Sequence, residues 1–431
     1  MTHDIFIAGV ACTTLGKRLQ DSVKSLTAEA VQAALADAGA EVGDIEAAWF
    51  SNTRQPMLEG QNTIRGQIAL RPLGFQGIPV VNVENACASG SSALLQAIAQ
   101  LRAGMIDIAL VVGAEKMVFP DKPEAVAAAF QGGTDIHDLE ATKAYARALG
   151  ADIDDASQGA RSIFMDLYAA QARAHMARFG TQQADYARIA AKNHNHAAHN
   201  PRAQYRFSMT VDEVLADRVV AFPFTRAMCA PVSDGAAAAV VCSARGLSRL
   251  SGSKARAVRI RSCVLRSGAD RAPDAFDRHI GRLTAIAAYE EAGLGPKDVD
   301  VVEVHDATAY AELQQIENLG LAEPGTVGER LAQGDFHLGG RQPVSPSGGL
   351  LSKGHPVGAT GLIQVHDLCL QLRGEAEGAQ HPGARVAIAE NGGGFLRGEE
   401  AATTVTILER PAAWRTARPA RSSNPIEGRR A

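Results

Sequence analysis

The segment VENACASGSSALL, Val83 to Leu95, puts Cys87 between the end of an apolar strand and a run of small residues that starts a helix. A thiolate is a strong nucleophile, but a free thiol with a pKa of about 8.5 is mostly protonated at neutral pH. A helix N-terminus lowers that value through its partial positive charge, and the small neighbours leave room for a substrate. The alternative is a buried, inert cysteine. His355 stands in a second segment, SPSGGLLSKGHPVGATG, whose proline and glycines shape a turn. An imidazole beside a thiol can take its proton and hold the resulting ion pair; otherwise it is a hydrogen-bonded bystander. His305 and Asp306 end the apolar strand VDVVEVHDA, at the kind of strand terminus where α/β proteins place ligands. His305 suits hydrogen bonding to a developing oxyanion, and Asp306 suits capping of the helix that follows.

Other chemistries find less support. His194, His196 and His199 are spaced unlike a zinc pattern, so no metal is expected. VVGAEKM and NGGGFLRG lack the glycine fingerprint and acidic partner of a dinucleotide site, and there is no P-loop. The chain has 431 residues, a net charge of −4 and few aromatics, which argues against nucleic-acid binding. No apolar run reaches the length of a membrane span, and the N-terminus resembles a first strand rather than a signal peptide. The six cysteines show no CxxC pairing, as expected of a reducing cytoplasm.

The elements that must position Cys87 and His355 occur twice. LTAEAVQAALADAGAEVGDIEAAWFSN, from Leu26, and LTAIAAYEEAGLGPKDVDVVEVHDA, from Leu283, each read as amphipathic helix, glycine stop, acidic turn and strand. CASGSSALLQ aligns with HPVGATGLIQ, setting His355 on Cys87. Both are followed by an apolar strand, IDIALVVGAE and ARVAIAENGG. Such a duplication predicts two similar α/β halves about a pseudo-two-fold axis, with Cys87, His305, His355 and Glu390 converging. The expected division is an N-terminal half, 1–255, holding a lid-like insertion at about 116–223, a C-terminal half, 256–410, and a disordered Arg- and Pro-rich tail, 411–431.

These residues resemble the thiolase superfamily, and within it the sterol-carrier-protein-2-type thiolases. The carriers are NACASGSSAL, KNHNHAAHNPRAQYRF, CAPVSDGAAAAVV, HDAT and SPSGGLLSKGHPVGATG, in that order. The resemblance implies a five-layered αβαβα fold and an acyltransferase that cleaves a 3-oxoacyl-CoA by thiolysis or runs the reverse Claisen condensation. It implies coenzyme A as substrate, received by the loop domain at about 116–223, with no permanently bound cofactor. A homodimer or dimer of dimers follows too, with no membrane or nucleic acid as partner. Cys87 would be acylated, His355 would activate it, His305 would help build one oxyanion hole, and the backbone N–H groups of Cys87 and Gly392 would build the other. Two acid/base cysteines of the family are missing: one slot holds Glu390, in Glu390-Asn391-Gly392, and the other holds Ala307. Glu390 is the expected replacement, with Tyr310 less favoured; the alternative pairs Glu390 with Arg397. Two further readings stand beside this one. One is a partner-dependent or non-catalytic homologue acting with a small OB-fold, zinc-ribbon protein. The other is a ketosynthase-like condensing enzyme, disfavoured by the GHP motif at His355. No appended lipid-transfer domain is expected, since the chain ends soon after its last strand.

Overall fold

The computed structural model describes residues 4–150, 162–252, 254–272 and 275–410. The expected disordered tail, 411–431, and residues 151–161 of the insertion lie outside the described residues.

The first half opens with β1 (Ile5–Cys12), α1 (Val23–Ala38), β2 (Ala47–Ser51), α2 (Gln55–Glu59), α3 (Arg65–Leu70), β3 (Val80–Val83), α4 (Ser89–Arg102) and β4 (Ile108–Glu115). Helices α5 (Pro123–Gln131), α6 (Leu139–Ala148), α7 (Ile163–Phe179), α8 (Gln183–Ala197) and α9 (Val211–Ala216) follow, with the short hairpin β5 (Val219–Ala221) and β6 (Phe224–Thr225). Then β7 (Gly235–Ser243) and α10 (Ala244–Arg249) complete the half. The second half runs β8 (Val258–Ser267), α11 (Ile280–Ala292), β9 (Val301–Glu303), α12 (Ala309–Asn318), α13 (Val327–Ala332), α14 (Thr360–Arg373), β10 (Val386–Gly393) and β11 (Ala402–Glu409).

Nine strands form one mixed sheet in the order β3-β2-β4-β7-β1-β8-β11-β10-β9. The order is symmetric about the β1–β8 pairing, at Ile5–Ile260 and Ile7–Val258. Strands β2 and β4 pair in parallel, as β9 and β10 do, and a parallel bridge from Val302 to Val344 takes the place of β3 in the second half. The duplication extends to the turns. Helices α1 and α11 both stop at left-handed glycines, Gly39 (φ 61°) and Gly293 (φ 65°). In both following turns an aspartate, Asp44 or Asp298, accepts a backbone N–H at 2.8 Å.

Alternate residues along each strand feed different layers. Ala109 and Val111 of β4 face α4 and α14, while Ile108, Leu110 and Val112 face α1. In β10, Ala387 and Ala389 face the central helices, while Val386 and Ile388 face α11 and α12. The sheet wraps α4 and α14 with strands on either side, giving the αβαβα layering of the thiolase fold. The two central helices approach closely at their N-termini. A Cβ on Gly90 would stand 3.1 Å from the Gly358 carbonyl, and one on Gly361 only 2.7 Å from the Ser91 nitrogen. Among the described residues no helix is long and apolar enough to cross a membrane.

Candidate active site

Cys87 sits in a tight turn, Ala86–Ala88, between β3 and α4, and Ala86 takes a left-handed conformation there (φ 48°). His355 precedes the matching turn before α14, and His305 follows β9. The Sγ of Cys87 and one ring nitrogen from each histidine lie within 4.8 Å of one another. The two imidazole rings meet edge to face with centroids 5.2 Å apart.

The His355 ring is held in one tautomer. The Thr360 hydroxyl donates to the Pro356 carbonyl at 2.9 Å and lies 2.8 Å from His355 Nδ1. With its proton so used, that hydroxyl accepts from Nδ1–H, which leaves Nε2 as the free base. Burial pushes the His355 pKa well below its ordinary value, with His305 and Arg54 adding to the effect. His305 is 4% exposed, neither ring nitrogen has a partner, and burial pushes its pKa down to about 4. A buried imidazole with two idle nitrogens is a polar group awaiting a ligand.

The thiol departs from expectation. Burial pushes Cys87 up to about 11, against the opposing pull of Arg54 and the N–H groups of Gly394 and Cys87 itself. The helix proper starts two residues later, at Ser89, and the sulfur borders an apolar wall of Leu58, Met117, Ala129, Phe130 and Val357. Desolvation therefore outweighs the helix terminus. The resting pair is neutral thiol and neutral imidazole.

Glu390 lies on β10, fully buried, with one oxygen accepting the His305 N–H at 3.1 Å and the other unpartnered. Burial raises its pKa well above the ordinary carboxylate range, and Glu400 adds to this. Glu400 itself is pushed up to about 7 by burial. Arg397, the alternative partner for Glu390, instead meets Asp270 at 3.4 Å on the surface, because its left-handed turn (φ 46°) carries it away from the strand. Tyr310 packs its ring against His175 and Tyr186 in the outer core, with its hydroxyl accepting from Gln314. The N–H of Gly394 acts on the sulfur, and Gly392, expected in the oxyanion hole, lies in the ladder opposite Thr403.

One further expectation is revised. Thr308, not Asp306, caps α12, accepting from the Ala311 N–H. Asp306 instead ties two loops together: it accepts the Leu350 N–H at 2.7 Å and the Asn193 side chain at 2.8 Å. His194 bonds the Ala227 carbonyl and the Ser352 hydroxyl, and His196 bonds the Ser345 carbonyl and the Leu338 N–H. Their ring nitrogens are thus committed to protein. Among the described residues the atoms of Cys87, His305 and His355 are the ones close enough to ligate a soft cation.

Residues beyond those motifs also bear on the site. Lys353, two residues before His355, is buried and contacts Asp367 at 2.5 Å, Ser347 at 2.7 Å and Glu303 at 3.3 Å, clamping the histidine loop to α14 and β9. Tyr168 on α7 keeps its proton: burial raises its pKa, and Glu400, Cys87 and Glu390 push the same way. Arg54 follows β2, at the position that the repeat sets opposite Thr308, where the second half has a helix cap and no charge.

Two family models match this chain: the thiolase N-terminal domain over residues 5–245 and the thiolase C-terminal domain-like model over 269–410. The chain belongs to the thiolase family. It is 33% identical to sterol carrier protein 2 of Oryctolagus cuniculus over 399 residues, 90% of this chain and 69% of that one. It is 35% identical to the acetyl-CoA acetyltransferase of Methanothermobacter thermautotrophicus, covering 91% and 97% of the two chains. With the benzoylsuccinyl-CoA thiolase subunit BbsB of Thauera aromatica it shares 34% identity over 92% and 96%. A solved structure, the Ltp2-ChsH2(DUF35) aldolase, shares the fold with a TM-score of 0.76, 22% identity and coverage of 95% and 99%.

Proposed function

We propose that this chain is a CoA-dependent thiolase whose acyl carrier is Cys87 and whose acid/base residue is Glu390. The observation that carries this reading is the convergence of the Cys87 thiol with the His305 and His355 imidazoles, beside a buried carboxyl, Glu390, that accepts the backbone N–H of His305. As Cys87 attacks the 3-oxo carbon, His355 Nε2 takes the thiol proton. The N–H groups of Cys87 and Gly394 face the oxyanion that forms. Breaking the C2–C3 bond leaves a thioester enolate, whose oxygen meets the His305 and His355 rings. Glu390 delivers a proton to C2 and becomes the base that receives the proton of incoming CoA; the CoA sulfur takes the acyl group, and the departing Cys87 thiolate recovers its proton from His355. The apolar wall beside Cys87 suits an acyl chain.

The names of two similar proteins favour a second reading. BbsB is named as a subunit, and the Ltp2-ChsH2(DUF35) aldolase carries two components in its name. On that reading a partner protein completes the cycle.

One experiment separates them. Incubation of Glu390→Gln with a 3-oxoacyl-CoA should leave acylation of Cys87 measurable by mass spectrometry and stop CoA-dependent release. Normal turnover by the Gln variant sinks the Glu390 role. An adduct on the unmodified protein that CoA fails to release favours the partner-dependent reading.

A further inference from the structure

Arg54 lies in the loop between β2 and α2 and is 8% exposed. Its guanidinium covers the Phe130 ring at 5.3 Å, and Nη1 donates to the Ala129 carbonyl. Nε has no partner. Among the described residues no carboxylate forms an ion pair with this guanidinium. The buried carboxylate of Glu115 feels the charge of Arg54 but spends its oxygens on the Asn52 and Thr53 side chains and on the backbone N–H groups of Thr53 and Arg54.

Phe130 and Ala129 belong to the apolar wall that borders Cys87. That contact with the wall packed against Cys87 places Arg54 beside the reaction centre, and its charge acts on both Cys87 and His355. Burying a guanidinium in an apolar wall with no carboxylate in direct contact is costly. A neutral acyl chain would gain nothing from it. A guanidinium with free donors is instead the planar fork that matches a carboxylate.

We infer that Arg54 determines substrate class: the oxoacyl moiety carries a second carboxylate, and the Arg54 guanidinium receives it beside Cys87. This assignment rests on the thiolase reading above and narrows its substrate from any 3-oxoacyl-CoA to an acidic one. The phosphates of coenzyme A are a second possible source of anion, but they are common to every substrate compared below and so cancel.

The test uses the full-length protein and matched pairs of 3-oxoacyl-CoA over several chain lengths, one member bearing a carboxylate and the other its primary amide. The readouts are kcat/KM for thiolysis and the acylation of Cys87. At the best length the carboxylate should be preferred by about 10- to 100-fold, the worth of a charge-assisted hydrogen bond. Arg54→Leu should bring that ratio near one whatever the absolute rates, and Arg54→Lys should keep part of it, a point charge without the fork. A wild-type ratio near one at every length overturns the assignment, as does an unchanged ratio in folded Arg54→Leu. An equal fall for both members, with slower alkylation of Cys87, also overturns it, because the arginine then acts on the thiol alone. Failure of every member to acylate Cys87 sinks the thiolase reading itself.

Discussion

Cys87, His305, His355 and Glu390 owe their chemistry to being dry. A thiol pushed up to about 11 and an imidazole pushed well below its ordinary value keep the proton on sulfur. The thiolate fraction therefore grows only as pH approaches that raised value, so alkylation of Cys87 by iodoacetamide in the substrate-free protein should keep rising through pH 9. A rate that levels off near pH 7 contradicts this account of the resting pair. The identities of these residues were legible because their neighbours recur in long motifs. Their protonation was not, because the wall that desolvates Cys87 includes residues 58, 117, 129, 130 and 357. Arg54 escaped notice for the same reason: it draws its meaning from Ala129 and Phe130, far away in the sequence.

Helices α4 and α14 bring the thiol and the imidazole together, and small residues let them do it. Gly361 leaves no space for a methyl group, with Asn391 Oδ1 at 2.6 Å and the Ser91 nitrogen at 2.7 Å from the position it would occupy. Gly361→Ala must shift backbone, at a cost of about 1–3 kcal/mol. Urea unfolding should show that loss, and acylation of Cys87 should slow in the same variant. Unchanged stability and acylation would mean that the close helix contact does not position the pair. The repeat made this arrangement readable, since helix, glycine stop, acidic turn and strand occur twice in one register. Strand phase was harder to read. β1 shifts register between Ile7 and Gly9, so Ile5, Ile7 and Val10 share the central layer while Ala8 and Ala11 face the other way. Simple alternation would have assigned Val10 to the wrong side. The turn at Arg397 likewise breaks the strand pattern on which its pairing with Glu390 depended.

On the scale of the molecule, each half supplies what the other lacks. The first half contributes the sulfur and all of the apolar wall except Val357, including α5 from the segment between β4 and β7, while the second contributes Val357, both imidazoles and the carboxyl. The buried chain Lys192–Glu312 and Asn193–Asp306 joins that same segment to the loops carrying His305 and His355. The claim that unites these scales is acyl transfer to one sulfur. It is tested most directly by trapping the protein with a 3-oxoacyl-CoA in the absence of free CoA and mapping the added mass by peptide mass spectrometry. The account predicts the acyl group on Cys87 in the unmodified protein and its loss in His355→Ala. An acyl group on another residue, or equal labelling of Cys87 with and without the imidazole, would contradict it.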